Sequence, residues 1–192
     1  CLKNMNRSNY PIYDRAIQAY LKNSRVLFFR LKKHGDLSLI EKRLLEVRQH
    51  LRSDQIEKAK ITLSALTPHN SFFHAEVLLL KANCAFRDGL FAESAQLNLS
   101  AYQIYLEILD RRGQFVTVYN ASVDYSRLGQ FALSDRYLAL AAGLAAGPSE
   151  LGVIWRAEAC SFSRREDYFQ ACRTLKRAFA QKGDLNHVDY NC

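Results

Sequence analysis

The chain is 192 residues long, 48% hydrophobic and 24% charged, ordinary globular proportions that exclude wholesale disorder. Its 8 Gly and 3 Pro are sparse punctuation for an all-β protein, which needs many turns. The most continuously apolar stretch, Tyr137 to Pro148, falls well short of the roughly 20 residues a helix needs to cross a bilayer, so it reads as a buried helix in a soluble chain with no transmembrane segment.

The net charge of +8 is confined to the first third. Residues 1–60 hold 14 Lys and Arg against 6 Asp and Glu, whereas residues 61–192 hold 13 of each. Residues 1–38 form a basic helical segment that caps whatever follows, helical in period from Pro11 to His34 with Asn23-Ser24 as a break. Lys22, Arg25, Arg30, Lys32 and Lys33 crowd this stretch beside Phe28 and Phe29. Basic and aromatic interleaving suits nucleic acid or an acidic protein. It also describes a capping helix with its apolar side on the next element and its lysines in water.

From residue 39 the chain repeats itself, a property that decides the fold class. Helix-period runs alternate with tight turns at Ser53-Asp54-Gln55-Ile56, Asp88-Gly89-Leu90-Phe91, Leu128-Gly129-Gln130-Phe131 and Glu166-Asp167-Tyr168. With Ile56, Phe91, Phe131 and Tyr168 as anchors, the spacings are 35, 40 and 37 residues. Small residues precede each later turn (Ala82, Ser122, Ala159), with packing positions at His50, Ala85, Tyr125 and Phe162. Small residues also follow each anchor, at Ala59, Ser94, Ser134 and Ala171, then at Ala101, Ala141 and Ala178. Such spacing lets paired helices interlock while larger side chains fill the gaps between pairs. The predicted fold is all-α, with helix pairs near 39–66, 71–103, 115–143 and 149–182, preceded by one or two helices. Ser38 with Glu41 and Asp54 with Glu57 read as capping boxes, and Gly35, Gly113, Gly147 and Gly183 as helix stops. Residues 184–192 are a tail or the start of a further helix.

Residues 39–183 resemble the tetratricopeptide repeat family. The closest units are Ala75–Tyr102, Phe115–Ala142 and Gly152–Phe179, with Trp155 where the family often has Trp. The first unit departs from the pattern at Val47 and His50, and Pro68 and Pro148 lie out of register with the family's closing proline. The resemblance implies a right-handed α-solenoid of about four antiparallel helix pairs, and a protein- or peptide-binding scaffold that works through its concave face. The long spacings also resemble bacterial peptide-sensing regulators, so a sensor domain of a larger transcription regulator is one alternative. A polyanion- or nucleic-acid-binding repeat protein is another.

Arg52, Arg87, Arg127 and Arg164 each stand four residues before an anchor, and stacking would set them in a row. Guanidinium groups in a row suit carboxylates or phosphates. The same position also favours Arg for the helix dipole. Asn83, Tyr119, Asn120 and Arg156 complete the candidate partner-binding set; an asparagine pairs with a peptide bond through both its donors and its acceptor. Together these point to a protein or peptide partner, acidic in character.

Catalytic chemistry has no visible carrier. The five His show no metal-binding spacing, and HExxH, GxSxG, GxGxxG and a phosphate-binding glycine loop are all missing. No catalytic residue, metal or cofactor is therefore expected. Cys1, Cys84, Cys160, Cys172 and Cys192 show neither paired nor zinc-type spacing. An odd, unpatterned set favours a reducing, cytoplasmic setting, with Cys84, Cys160 and Cys172 as small buried hydrophobes.

Overall fold

A computed structural model of the chain describes residues 7–21, 24–33 and 35–180. All regular structure among them is helical. A turn of 3-10 helix at Arg7–Asn9 leads into α1 (Pro11–Leu21), α2 (Arg25–Lys32), α3 (Leu39–Arg52), α4 (Ile56–Ser64) and α5 (Ser71–Arg87). There follow α6 (Phe91–Glu107), α7 (Arg111–Arg127), α8 (Phe131–Leu144), α9 (Pro148–Arg164) and α10 (Tyr168–Ala180). The four predicted pairs and two leading helices correspond to these elements, and each anchor is the first residue of the second helix in its pair.

Helices pack on their neighbours in sequence: α1 on α2, α3 on α4, then α5, α6, α7 and α8 in an unbroken series, and α9 on α10. The ten small residues that follow or precede the anchors are all buried, from Ala59 to Ala178. Their small volume is what allows the close approach. Two apolar clusters result. One runs from Tyr13 and Phe28 through Leu44, Leu45 and Phe72 to Tyr105; the other gathers Phe115, Val118, Tyr119, Leu138 and Ile154.

The turn inside each pair is built one way. Two residues before each anchor the backbone is left-handed: φ is 55° at Asp54, 78° at Gly89, 72° at Gly129 and 64° at Glu166. The next amide then reaches back five positions, from Gln55 to His50 O, Leu90 to Ala85 O, Gln130 to Tyr125 O and Asp167 to Phe162 O, at 2.8–3.0 Å. This is a Schellman-type closure, which glycine accepts without cost and Asp or Glu does not.

Several sequence expectations about caps require correction. Ser38 and Glu41 do form a capping box, but Asp54 does not: it holds the left-handed turn position and α4 starts after Gln55 without a side-chain cap. Gly113 stops no helix; it lies in the first turn of α7, where a Cβ would stand 2.3 Å from the Tyr105 ring. Gly147 opens α9 rather than ending α8, because Pro148 supplies the preorganised first helical residue. Gly183 and the tail at 184–192 lie outside the described residues.

Candidate functional site

The four aligned arginines all reach towards the preceding unit. The Arg52 guanidinium covers the Tyr20 ring at 3.8 Å and donates to the Tyr20 carbonyl oxygen. Arg87 lies 3.4 Å from Asp54. Arg127 stands over Phe86 at 5.9 Å, and Arg164 donates to Ser126 Oγ at 3.1 Å. A guanidinium at a helix end spans the gap between stacked pairs, so the row stitches each unit to the one before. Arg87 and Arg127 remain exposed while Arg52 and Arg164 are half-buried.

The other candidate contacts separate. Tyr119 and Asn120 are 0% and 1% exposed, closed in by the packing of α6 and α8 on α7, so the expectation that they line an open groove is corrected. Asn83 and Arg156 are half-buried, and Arg156 Nε has no hydrogen-bond partner among the described residues. In the basic stretch, Lys22 and the Arg25 side chain lie outside the described residues. Phe28 is buried against Tyr20, whereas Phe29, Arg30 and Lys33 are exposed. Lys32 donates to Gln49 Oε1 on α3 at 2.9 Å, and burial lowers its ammonium pKa. The cap and the basic surface are two faces of one helix.

Of the cysteines, Cys84 is buried, Cys160 half-buried and Cys172 exposed, which corrects the expectation for Cys172. Cys84 borders a cleft of about 460 Å³ with Lys60, Lys81, Asp88 and Glu93. Burial pushes its thiol up to about 11, so it carries no thiolate at neutral pH. Among the described residues no three His, Cys, Asp or Glu side chains are placed to hold a metal ion, and no helix is long and apolar enough to cross a membrane.

Three features were not anticipated from the sequence. The first is a buried ionic knot. Glu76, fully buried on α5, accepts from Tyr13 and Tyr105 hydroxyls at 2.8 Å each, from Arg7 at 3.0 Å and from Arg48. Arg7 Nε also lies 3.3 Å from Asp110 Oδ2, an ion pair without hydrogen-bond alignment. Burial would raise the Glu76 carboxyl, but Arg48 and Arg7, helped by the two hydroxyls, hold it down at about 2. The signal was a lone acid in the apolar run Phe72–Leu80.

The second is a polar cluster between α6 and α7, where Asp124 Oδ2 accepts from Ser94 Oγ at 2.9 Å and Asn98 Nδ2 at 3.0 Å. The third is the outer face of α10. Ala171, Thr174 and Ala178 turn inward, leaving Tyr168, Phe169 and Phe179 at 63%, 75% and 66% exposure. Arg173 and Lys176 are exposed beside them and have no carboxylate partner among the described residues. From 168 to 180 the chain has no Asp or Glu.

No protein-family model, curated protein or solved structure matches this chain. The functional reading therefore rests on the residues themselves.

Proposed function

We propose that the chain is a protein- or peptide-binding scaffold of the tetratricopeptide type, a right-handed array of about four helix pairs. The observation that carries the reading is the outer face of α10. Three aromatic side chains, each more than half exposed, share that helix with two cations, Arg173 and Lys176, that have no carboxylate partner among the described residues. Exposed apolar patches of this kind mark association surfaces, because covering them releases water from large apolar areas. Aromatic anchors with basic neighbours, on a helix that carries no Asp or Glu between 168 and 180, suit an apolar segment that carries Asp or Glu. The stack supports the same reading, since helix pairs in series offer an extended surface rather than an enclosed site.

The experiment is capture from source lysate by the immobilised chain, with nuclease added, comparing the unaltered protein with Phe169→Glu/Phe179→Glu and with Arg173→Glu/Lys176→Glu. Protein partners that are kept through nuclease treatment and lost with both variants support the proposal. Capture that both variants leave intact removes α10 from it, and capture abolished by nuclease moves the reading to nucleic acid.

A further inference from the structure

The polar cluster between α6 and α7 is short of protons. Asp124 is fully buried, and its Oδ2 already accepts from Ser94 and Asn98. Among the described residues its Oδ1 has no hydrogen-bond partner, and neither has Oδ1 of Asn98, which is also buried. A buried acceptor oxygen that no donor reaches is costly, and this cluster holds two. A carboxylate there adds an uncompensated charge, since Ser94 and Asn98 are neutral donors.

Among the described residues no cation relieves that charge. From α6, Asp124 meets Ser94 and Asn98, neither of which titrates. On α8 the ionisable groups are Asp135, Arg136 and Tyr137: Asp135 pairs with Arg165, and Tyr137 stacks on Tyr125. On α9, Arg164 is bonded to Ser126. None of these acts on the Asp124 carboxyl, whose environment is burial together with its two hydrogen bonds. Tyr125, the next residue, feels the Asp124 charge, and its phenol is neutral at pH 7.

We propose that Asp124 stands in the folded chain as the neutral acid, donating its proton from Oδ1 to Asn98 Oδ1, and that the α6–α7 joint is a pH-responsive lock. The bond from Asn98 Nδ2 to Asp124 Oδ2 brings the amide and the carboxyl together, and in the protonated form it becomes one edge of a cyclic amide–acid pair. The proton supplies the second edge and satisfies both orphan oxygens in one step. When the acid ionises, the proton passes to water, and a buried charge is left facing an unpaired amide oxygen. The joint lies where the α1–α6 apolar cluster gives way to the α7–α9 cluster, so its loosening uncouples the two halves of the stack.

The electrostatics agree, since burial pushes Asp124 up to about 7 while its two hydrogen bonds only partly offset this. Proton uptake by the folded chain is fully favourable below the ordinary carboxyl range near pH 4, and is lost as pH rises to about 7. Between those limits the folding equilibrium shifts by up to about tenfold per pH unit.

The test uses the whole chain. Carboxyl ¹³C shifts of the labelled protein followed from pH 4 to 9 should show one Asp titrating near neutrality, absent from Asp124→Asn. Urea midpoints should fall from pH 5 to 7.5 in the unaltered chain, while Asp124→Asn, whose amide makes the same ring permanently, should lack that fall and be the more stable at pH 8. An Asp124 carboxyl titrating below pH 5 overturns the proposal, whether or not the variant folds. An unchanged pH slope in Asp124→Asn overturns it as well.

Discussion

Arg7 and Glu76 stand 69 residues apart in the chain and 3.0 Å apart in space, the arginine Nη2 donating to Glu76 Oε1. Around that contact the 3-10 turn, α1, α3, α5, α6 and the start of α7 all contribute a polar group. A buried charge of this kind does little for stability compared with an apolar core, but leaving part of it unpaired is costly. Glu76→Gln takes from Arg48 its carboxylate partner and leaves Arg7 with Asp14 and Asp110 alone, and should destabilise the chain by about 3–5 kcal/mol. Glu76→Leu with Arg48→Met should recover much of that loss. Urea unfolding of the three proteins at pH 7 checks both expectations; a Glu76→Gln loss below about 1 kcal/mol would mean the knot is open in solution.

Acid should act on the same group. Because the folded-state pKa is depressed to about 2 from 4.5, the stabilisation is present above pH 4.5 and lost as pH falls towards 2. Asp124 has the opposite slope, losing its contribution as pH rises to about 7. From these two groups the thermal midpoint should peak near pH 4–5 rather than at neutrality. Glu76→Gln should flatten the acid limb alone, and Asp124→Asn the neutral limb alone. A midpoint still rising from pH 5 to 7.5 in the unaltered chain would contradict the second half.

The arginine row should contribute unevenly. Arg52 both stacks on Tyr20 and bonds its carbonyl oxygen in a half-buried setting, so Arg52→Gln should cost about 1–2 kcal/mol. Arg87 and Asp54 are solvent-facing partners, and Arg87→Gln should cost less than about 0.5 kcal/mol. Equal losses at both sites, measured by denaturant unfolding, would show that the stitch is not graded by burial.

The repeat was legible because packing imposes a local rule that sequence carries: small residues where helices touch, all ten of which are buried. Helix bounds followed from the turns, and Ser38 with Glu41 announced the α3 cap. The ionic knot was not legible, because Arg7, Arg48, Glu76 and Asp110 are scattered and no local pattern marks which surface charge will be buried. Tyr119 and Asn120 failed as groove residues for a related reason. Helical period fixes which residues share a face, but α7 is covered by α6 and α8 on most of its circumference, and its faces hardly differ in exposure. The open face of α10 was hidden by treating Tyr168 as a packing anchor like Phe91 and Phe131. Those two are half-buried, whereas Tyr168 is 63% exposed.

The recurring turn offers the last prediction. Gly89 and Gly129 sit at the same left-handed position as Asp54 and Glu166, two residues before each anchor. A side chain there pushes Cβ towards a carbonyl oxygen, at roughly 1–2 kcal/mol for a residue without local compensation. Nothing stands within 4 Å of a Cβ built on Gly89 or Gly129, so the backbone angle, not crowding, selects glycine. Gly89→Ala and Gly129→Ala should therefore each destabilise by about 1 kcal/mol. Glu166→Gly should do the reverse and stabilise by about 0.5–1 kcal/mol, offset in part by the greater freedom of glycine in the unfolded chain. Gly113→Ala is the contrast: its backbone is ordinary helix, but the new Cβ meets the Tyr105 ring and should cost about 1–3 kcal/mol through overpacking. Thermal unfolding of the four single variants separates strain from crowding, because Tyr105→Leu should relieve Gly113→Ala and leave Gly89→Ala unchanged. A Glu166→Gly variant less stable than the unaltered chain would show that Glu166 is held by more than its place in the turn.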